Sequence, residues 1–91
     1  MVYVMYTDSA YLQHAADILS LAKEITPNTA LGVILSDIQT HLLIKIQSYW
    51  TVSVSISYDG VYTARAFSSD GKYDLPISSL TTILSEIRTH L

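Results

Sequence analysis

The strongest constraint in this sequence is a seven-residue stretch in which apolar and polar side chains alternate without a break. From position 50 to 56 every second residue is apolar, and the residues between them carry hydroxyl groups. A period of two is that of a β-strand with one buried face. The chain therefore has to build a sheet around this stretch and cover one side of it. The apolar set is Trp50, Val52, Val54 and Ile56, and the polar set is Thr51, Ser53 and Ser55.

A turn follows this strand and sets the register of a β-hairpin. Tyr58-Asp59-Gly60 is predicted to be a three-residue loop in which Gly60 takes the left-handed conformation. A two-residue loop would instead place Arg65 opposite Val54, on the apolar face. The three-residue loop pairs Ile56 with Tyr62, Val54 with Ala64 and Val52 with Ala66, and leaves Ser53, Ser55, Thr63 and Arg65 on the other face.

The segments before the hairpin predict a short strand and two helices. Residues 2–6 are β-branched and aromatic, which favours a strand. Apolar residues then recur at helical spacing over about 9–25, and Pro27 ends this helix. A second helix is expected from Thr29 to about 46, because one broad apolar stripe has helical period. In the alternative, this helix ends near His41 and residues 42–46 begin a strand.

After the hairpin, Ser69-Asp70-Gly71 repeats the turn chemistry, so residues 72–75 are expected to add a short third strand that Pro76 ends. A last helix is predicted from about Ser78. With 91 residues, 49% of them hydrophobic and 14% charged, the chain fits one ordered domain, residues 1–91. The predicted fold is α+β: a small antiparallel sheet, either a hairpin or a three-stranded meander with an N-terminal strand, packed with three helices.

Two segments of the chain resemble each other. Residues 34–42 align with residues 83–91, and both end in Thr-His-Leu. One interpretation is an internal duplication with halves of about 1–43 and 50–91. The other is that two amphipathic helices are built from the same common residue types without a shared origin. Duplication would let the second and third helices pack as equivalent neighbours on one face of the sheet.

The last part of the chain also resembles a known family. A helix running into Tyr49-Trp50, the strand that Trp50 begins, the turn 58–60, a second strand with Tyr62 and a closing helix are similar to the small phage-encoded ABA-sandwich domains. The resemblance covers residues 35–91. The closing helix departs from the family, since it has Ser, Thr and Glu where alanines are usual. The resemblance implies a phage or mobile-element origin and transfers no site residue.

Several kinds of chemistry are not supported by the composition. Without cysteine there is no disulfide, catalytic thiolate or cysteine-bound zinc, and the chain has no Gly-x-Ser-x-Gly motif and no glycine-rich phosphate loop. Five basic residues scattered among eight acidic ones, for a net charge of −3, do not suit nucleic acid. The expectation is therefore a non-enzyme with no cofactor and no nucleic-acid partner.

Two acid–histidine pairs could still bind a metal. Asp37 with His41, and Glu86 with His90, are each four residues apart and would share one face of a helix. If the repeated halves came together, the four side chains could converge on one ion. The competing interpretation is that each histidine interacts with the C-terminal end of its helix and with the acid one turn earlier. On that interpretation there is no metal site.

The aromatic content favours protein binding. The chain has 7 tyrosines, one tryptophan and one phenylalanine, and Tyr and Trp are enriched where proteins contact one another. The expected function is a small non-enzymatic protein-binding factor, such as a phage inhibitor of a host defence complex of the anti-CRISPR kind. The alternatives are an oligomeric structural or assembly protein and a metal-dependent enzyme. The candidate contact residues are Tyr3, Tyr49, Tyr58, Tyr73 and Arg65.

Self-association and location complete the expectations. Val33, Leu43 and Ile44 fall on further faces of the predicted second helix, and burying them against a second copy would make a homodimer. The competing account is a monomer in which the N-terminal strand and first helix cover these residues.

Neither a signal peptide nor a membrane span of about 20 apolar residues is recognisable, so a cytoplasmic protein, in the host cytoplasm if phage-encoded, is expected.

Overall fold

The residues that the structure describes form a five-stranded antiparallel sheet and two helices. The computed structural model describes residues 2–35, 41–57, 59 and 61–91, and side chains are described for the same residues except 2–12 and 33–35. The sheet is a meander in which each strand pairs with its neighbours in the chain. The elements in chain order are α1 (Val2–Ile25), β1 (Leu31–Leu35), β2 (His41–Ile46), β3 (Trp50–Ile56), β4 (Tyr62–Ser68), β5 (Asp74–Ser79) and α2 (Leu80–Thr89).

The class α+β is correct, but the predicted arrangement of three helices on a small sheet is wrong. The expected N-terminal strand, residues 2–6, is the start of α1. No glycine or proline separates these residues from the predicted helix, so the helix extends back through them despite their β-propensity. The predicted end holds, because Pro27 follows directly after Thr26, whose hydroxyl donates to the carbonyl oxygen of Ala22 at 2.6 Å.

The predicted second helix is also wrong, because its described residues form β1 and β2. Leu42, Ile44 and Ile46 are fully buried, and the residues between them are half-buried. Positions 42 and 46 are four apart, an even number, so they fit the helical spacing and the strand spacing equally well. Pairing with β3 then decides for the strand, as the alternative for residues 42–46 had it. Positions 36–40 lie outside the described residues.

The predicted hairpin register is confirmed. Ile56 pairs with Tyr62, Val54 with Ala64 and Val52 with Ala66 across β3 and β4. The Ser57 amide donates to the Val61 carbonyl oxygen at 3.0 Å, which closes the hairpin at the loop.

The strand predicted at residues 72–75 is longer than expected. β5 runs from Asp74 to Ser79 and continues through Pro76, where the pairing with β4 shifts register between Ala64 and Ala66. Proline is tolerated at this position because β5 is an edge strand and the shift is a β-bulge. The last helix consequently starts at Leu80 rather than Ser78, with the Ser79 hydroxyl accepting a hydrogen bond from the Thr82 amide as its N-cap.

Both helices lie on the same face of the sheet. The buried apolar residues of the strands join those of α1 and α2 in one core, and the two helices contact each other. The helical members are Ala15, Ile18, Ala22, Leu80, Ile83, Leu84 and Ile87, and the strand members are Leu42, Ile44, Ile46, Trp50, Val52, Val54, Ile56, Ala64 and Ala66. The opposite face of the sheet is left without a helix in the part of the chain that the structure describes.

Two further expectations fail with the second helix. The repeated segments adopt different structures, β1 and β2 in one and α2 in the other, so they do not pack as equivalent helices. The helix surface expected to drive dimerisation is replaced by strands, in which Ile44 is fully buried and Leu43 half-buried. Whether the segments arose by duplication stays a prediction.

A charge introduced on the buried face of β3 should reduce the stability of the fold much more than a charge introduced on its opposite face. Val54→Asp places an unpaired carboxylate in the core at a fully buried position, and we expect a loss of about 4–5 kcal/mol, a large part of a typical free energy of unfolding of about 5–15 kcal/mol. Ser53→Asp, the matched control one residue away on the opposite face, should change stability by less than about 1 kcal/mol. Urea unfolding measures the free energy of unfolding of wild type and of both variants. A larger loss in Ser53→Asp than in Val54→Asp would mean that the faces are reversed, and equal losses would contradict the burial of one face.

Candidate functional site

The face of the sheet opposite the helices is the first candidate site, and we call it the open face. It is built from the alternate residues of the strands, which the register places side by side: Leu43 beside Ser53 and Ser53 beside Arg65, then Lys45 beside Thr51 and Thr51 beside Phe67. Phe67 is the one phenylalanine of the chain, and its apolar ring is 42% exposed. Arg65, two residues earlier on β4 and on the same face, is also exposed. The open face therefore combines an aromatic ring, a guanidinium and hydroxyl groups.

The charge of the open face differs in sign from that of the chain. Lys45 and Arg65 lie on it, with Asp74 paired to Phe67 at one side. The ammonium group of Lys45 donates to the Thr51 hydroxyl at 2.8 Å, which holds its side chain along the sheet. Two cations and one carboxylate leave this described surface positive in a chain whose net charge is −3.

A cluster of four rings forms the second candidate site, and we call it the ring cluster: Tyr49, Trp50, Tyr73 and His90. Trp50 stacks on Tyr73 with ring centroids 5.3 Å apart, and Tyr73 lies 4.4 Å from the His90 ring at the end of α2. Tyr49 meets Trp50 edge-on at 5.9 Å. The β2–β3 turn, in which Gln47 and Ser48 both have positive φ, places Tyr49 there. Since Trp50 is only 1% exposed, the cluster closes one end of the core.

Asp70 ties the ring cluster to the β4–β5 turn. Its carboxylate accepts hydrogen bonds from the Tyr49 hydroxyl at 2.8 Å, the Ser68 hydroxyl at 2.8 Å and the Lys72 amide at 3.0 Å. These bonds, the one from the Lys72 amide first, lower the pKa of Asp70 to about 2. The bond to the Asp70 carboxylate, together with partial burial, raises the pKa of the Tyr49 phenol. Gly71, at φ 73°, supplies the left-handed residue that the turn requires.

A histidine–tyrosine pair links α1 to the sheet. Nδ1 of His14 and the hydroxyl of Tyr62 lie 2.9 Å apart, and their rings meet edge-on. Burial, and to a lesser extent the negative charge of Asp17, raises the pKa of Tyr62, so its phenol keeps its proton more firmly than usual. A nucleophilic tyrosine would need the opposite shift, so this geometry fits a structural bond between helix and strand.

Three of the four candidate metal ligands are described, and they come from two different parts of the fold. Glu86 and His90 lie on or at the end of α2, where His90 packs on Tyr73, whereas His41 begins β2. Asp37 lies outside the described residues. Among residues 2–35, 41–57, 59 and 61–91, no group of three or more potential ligands is close enough to hold an ion.

The five predicted contact residues fall in different places. Tyr49 and Tyr73 join the ring cluster, both half-buried, and Arg65 lies on the open face. Tyr58 and the side chain of Tyr3 lie outside the described residues. Phe67 was not predicted from the sequence to be a contact residue, and Asp70 was predicted only to be part of a turn. Phe67 could have been found because it is two residues from Arg65 on the same strand and therefore shares its face.

Of the described residues, no helix is both long enough and apolar enough to cross a bilayer.

The lowered pKa of Asp70 predicts a pH-dependent contribution to stability. The ionised carboxylate stabilises the folded state fully above about pH 5, and this contribution declines as the pH falls through 3.8 toward 2. Asp70→Asn should therefore be less stable than wild type at pH 7, with the difference narrowing toward pH 3. Urea unfolding at several pH values measures this difference in the free energy of unfolding. Asp74→Asn is the control, because Asp74 is exposed and lies outside this network of hydrogen bonds. A difference that stays constant with pH would contradict the assignment.

The ring cluster predicts a spectroscopic effect, because Trp50 is the one tryptophan of the chain. Tyr73→Ala removes the ring that stacks on Trp50, so its emission should shift to longer wavelength, with a stability loss of about 1–3 kcal/mol. Tyr49→Phe keeps a ring edge against Trp50 and is expected to leave the emission unchanged. A Tyr73→Ala spectrum identical to that of wild type would rule out the stacking.

No family model, no curated protein and no solved structure matches this chain.

Proposed function

We propose that this chain is a small non-enzymatic protein-binding factor and that the open face is its binding surface. One observation carries the proposal: Phe67, 42% exposed, lies beside the exposed Arg65 on the face of the sheet opposite the helices. Arg and aromatic side chains are enriched in protein interfaces, where they supply most of the binding energy.

The shape of the open face supports a protein partner. Small molecules bind in clefts that bury most of their surface, whereas a sheet face offers contacts over a broad area. Leu43, Ser53 and Arg65 form one row across three strands, and Lys45, Thr51 and Phe67 form the next. In each row a hydroxyl residue of β3 lies between an apolar side chain at one end and a cation at the other.

The charge of the open face indicates the chemistry of the partner. Arg65 is exposed and free to form a bidentate pair with a carboxylate, and Lys45 adds a second positive charge on the same face. A partner that presents acidic side chains next to apolar ones would be complementary to this face. Such a charge pattern raises the association rate and makes binding sensitive to salt.

The wider role belongs to the same proposal. The similarity of residues 35–91 to phage ABA-sandwich domains supports an origin in a phage or mobile element. A stoichiometric inhibitor of a host defence complex, such as CRISPR, would need a binding surface and no catalytic group, and would act in the host cytoplasm. The described residues 41–46 form a strand where that resemblance expects a helix, so it applies to the part from Trp50 onward.

Charge reversal on each side of the molecule tests the proposal. Arg65→Glu changes the open face, and Arg88→Glu makes the same change at an exposed position of α2, on the helix side. Both variants, with wild type, are immobilised and used to capture proteins from host lysate, and each captured protein is then purified and titrated directly. We expect a partner that Arg88→Glu binds like wild type and that Arg65→Glu binds at least about tenfold more weakly.

Two results would contradict the open face as the binding surface. The first is a partner that binds Arg65→Glu as tightly as wild type and binds Arg88→Glu weakly. The second is a partner that binds Phe67→Ser as tightly as wild type. Circular dichroism of each variant confirms that the fold is intact.

A further inference from the structure

The two edges of the sheet are built differently. The edge strand β5 contains Pro76, which has no N–H group, and a bulge at the same point, and it begins with the charged Asp74. Proline, bulges and charges are the devices by which natural sheets prevent pairing with a further strand. The other edge strand, β1, has the sequence Leu-Gly-Val-Ile-Leu, with no proline and no charge, and pairs with β2 in regular register along its whole length.

The hydrogen bonding next to β1 shows which of its backbone groups face away from the sheet. The Gln47 amide donates to the Ala30 carbonyl oxygen at 2.8 Å, so this pair is of the hydrogen-bonded type. Residues of an antiparallel strand alternate in direction, and the register continues from this pair into β1 and β2. Gly32 and Ile34 therefore bond to β2, whereas Leu31, Val33 and Leu35 direct their N–H and C=O groups outward.

We infer that β1 pairs antiparallel with β1 of a second copy of this chain, about a twofold axis at Val33. The three outward-facing residues are symmetric about Val33, so Val33 meets its own equivalent while Leu31 meets the second copy's Leu35. All three then exchange both backbone hydrogen bonds, about six in total. A twofold axis requires one surface to be complementary to itself, and this edge satisfies that condition.

The residues of β1 carry no charge that would oppose pairing with a second copy. Each chain has a net charge of −3, yet β1 contributes none of it, so no like charges meet between the two paired β1 strands themselves. The twofold axis is perpendicular to the sheet, which keeps the helices of both copies on one side and both open faces on the other. Because α1 contacts β1, the helical layer of each copy extends to the edge strand at which the two copies pair. The dimer thus leaves the surface proposed for partner binding accessible.

Proline substitution at the centre of the edge tests this inference. In Val33→Pro the lost N–H is one that faces outward, so the bonds between β1 and β2 remain while the pairing with a second copy is blocked. Light scattering at micromolar concentration should give wild type a mass near twice 10.1 kDa and Val33→Pro a mass near 10.1 kDa. Ile77→Lys, at a 67% exposed position on the opposite edge, is the control and should remain a dimer.

Amide hydrogen exchange of wild type provides a test that needs no substitution. In a dimer the amides of Leu31, Val33 and Leu35 should exchange at least about tenfold more slowly at high than at low protein concentration. The amides of Gly32 and Ile34 should be protected at both concentrations. A wild-type mass of one chain at all concentrations, a dimeric Val33→Pro, or edge amides that exchange fast at every concentration would each overturn the inference, the first leaving this edge to a strand of another protein.

Discussion

The structure depends on the burial of one face of β3, the middle strand of the meander. Trp50, Val52 and Val54 are at most 1% exposed, and the strand pairs with β2 on one side and β4 on the other. Because strand residues alternate, burying this row forces the intervening hydroxyl residues to the opposite side. The position of both helices, the composition of the core and the existence of an open face all follow from that choice.

The parts that could be predicted are those in which one pattern excludes the others. The alternation in β3 and the turn after it allowed a single register, and Ser69-Asp70-Gly71 was correctly identified as a turn. The strands β1 and β2 were not predictable in this way, since Leu42 and Ile46 satisfy both the helical and the strand spacing. Only the need of β3 for a second neighbour resolves that ambiguity, and it is a tertiary effect. The extension of α1 over residues 2–6 and of β5 through Pro76 has the same origin.

The candidate sites show the same division. Arg65 was placed on the correct face by register alone, and Phe67 would have followed from the same alternation. The ring cluster required knowledge of distance in space, because Tyr49, Tyr73 and His90 come from two turns and a helix end. Asp70 was identified as a turn residue, but the three hydrogen bonds that its carboxylate accepts depend on how the two turns meet.

The meander has a consequence for how the chain reaches this structure. Each strand pairs with a neighbour close in sequence, so the loops that must close are short and the sheet can form early. The two helices that cover it are the first and last of the described elements, and their contact spans almost the whole described chain. Until α2 docks, the row of buried residues around Trp50 is exposed to water. Any partly folded chain in which the helices are not docked therefore exposes the apolar face of the sheet, and such exposed surface makes partly folded chains prone to aggregate at high concentration.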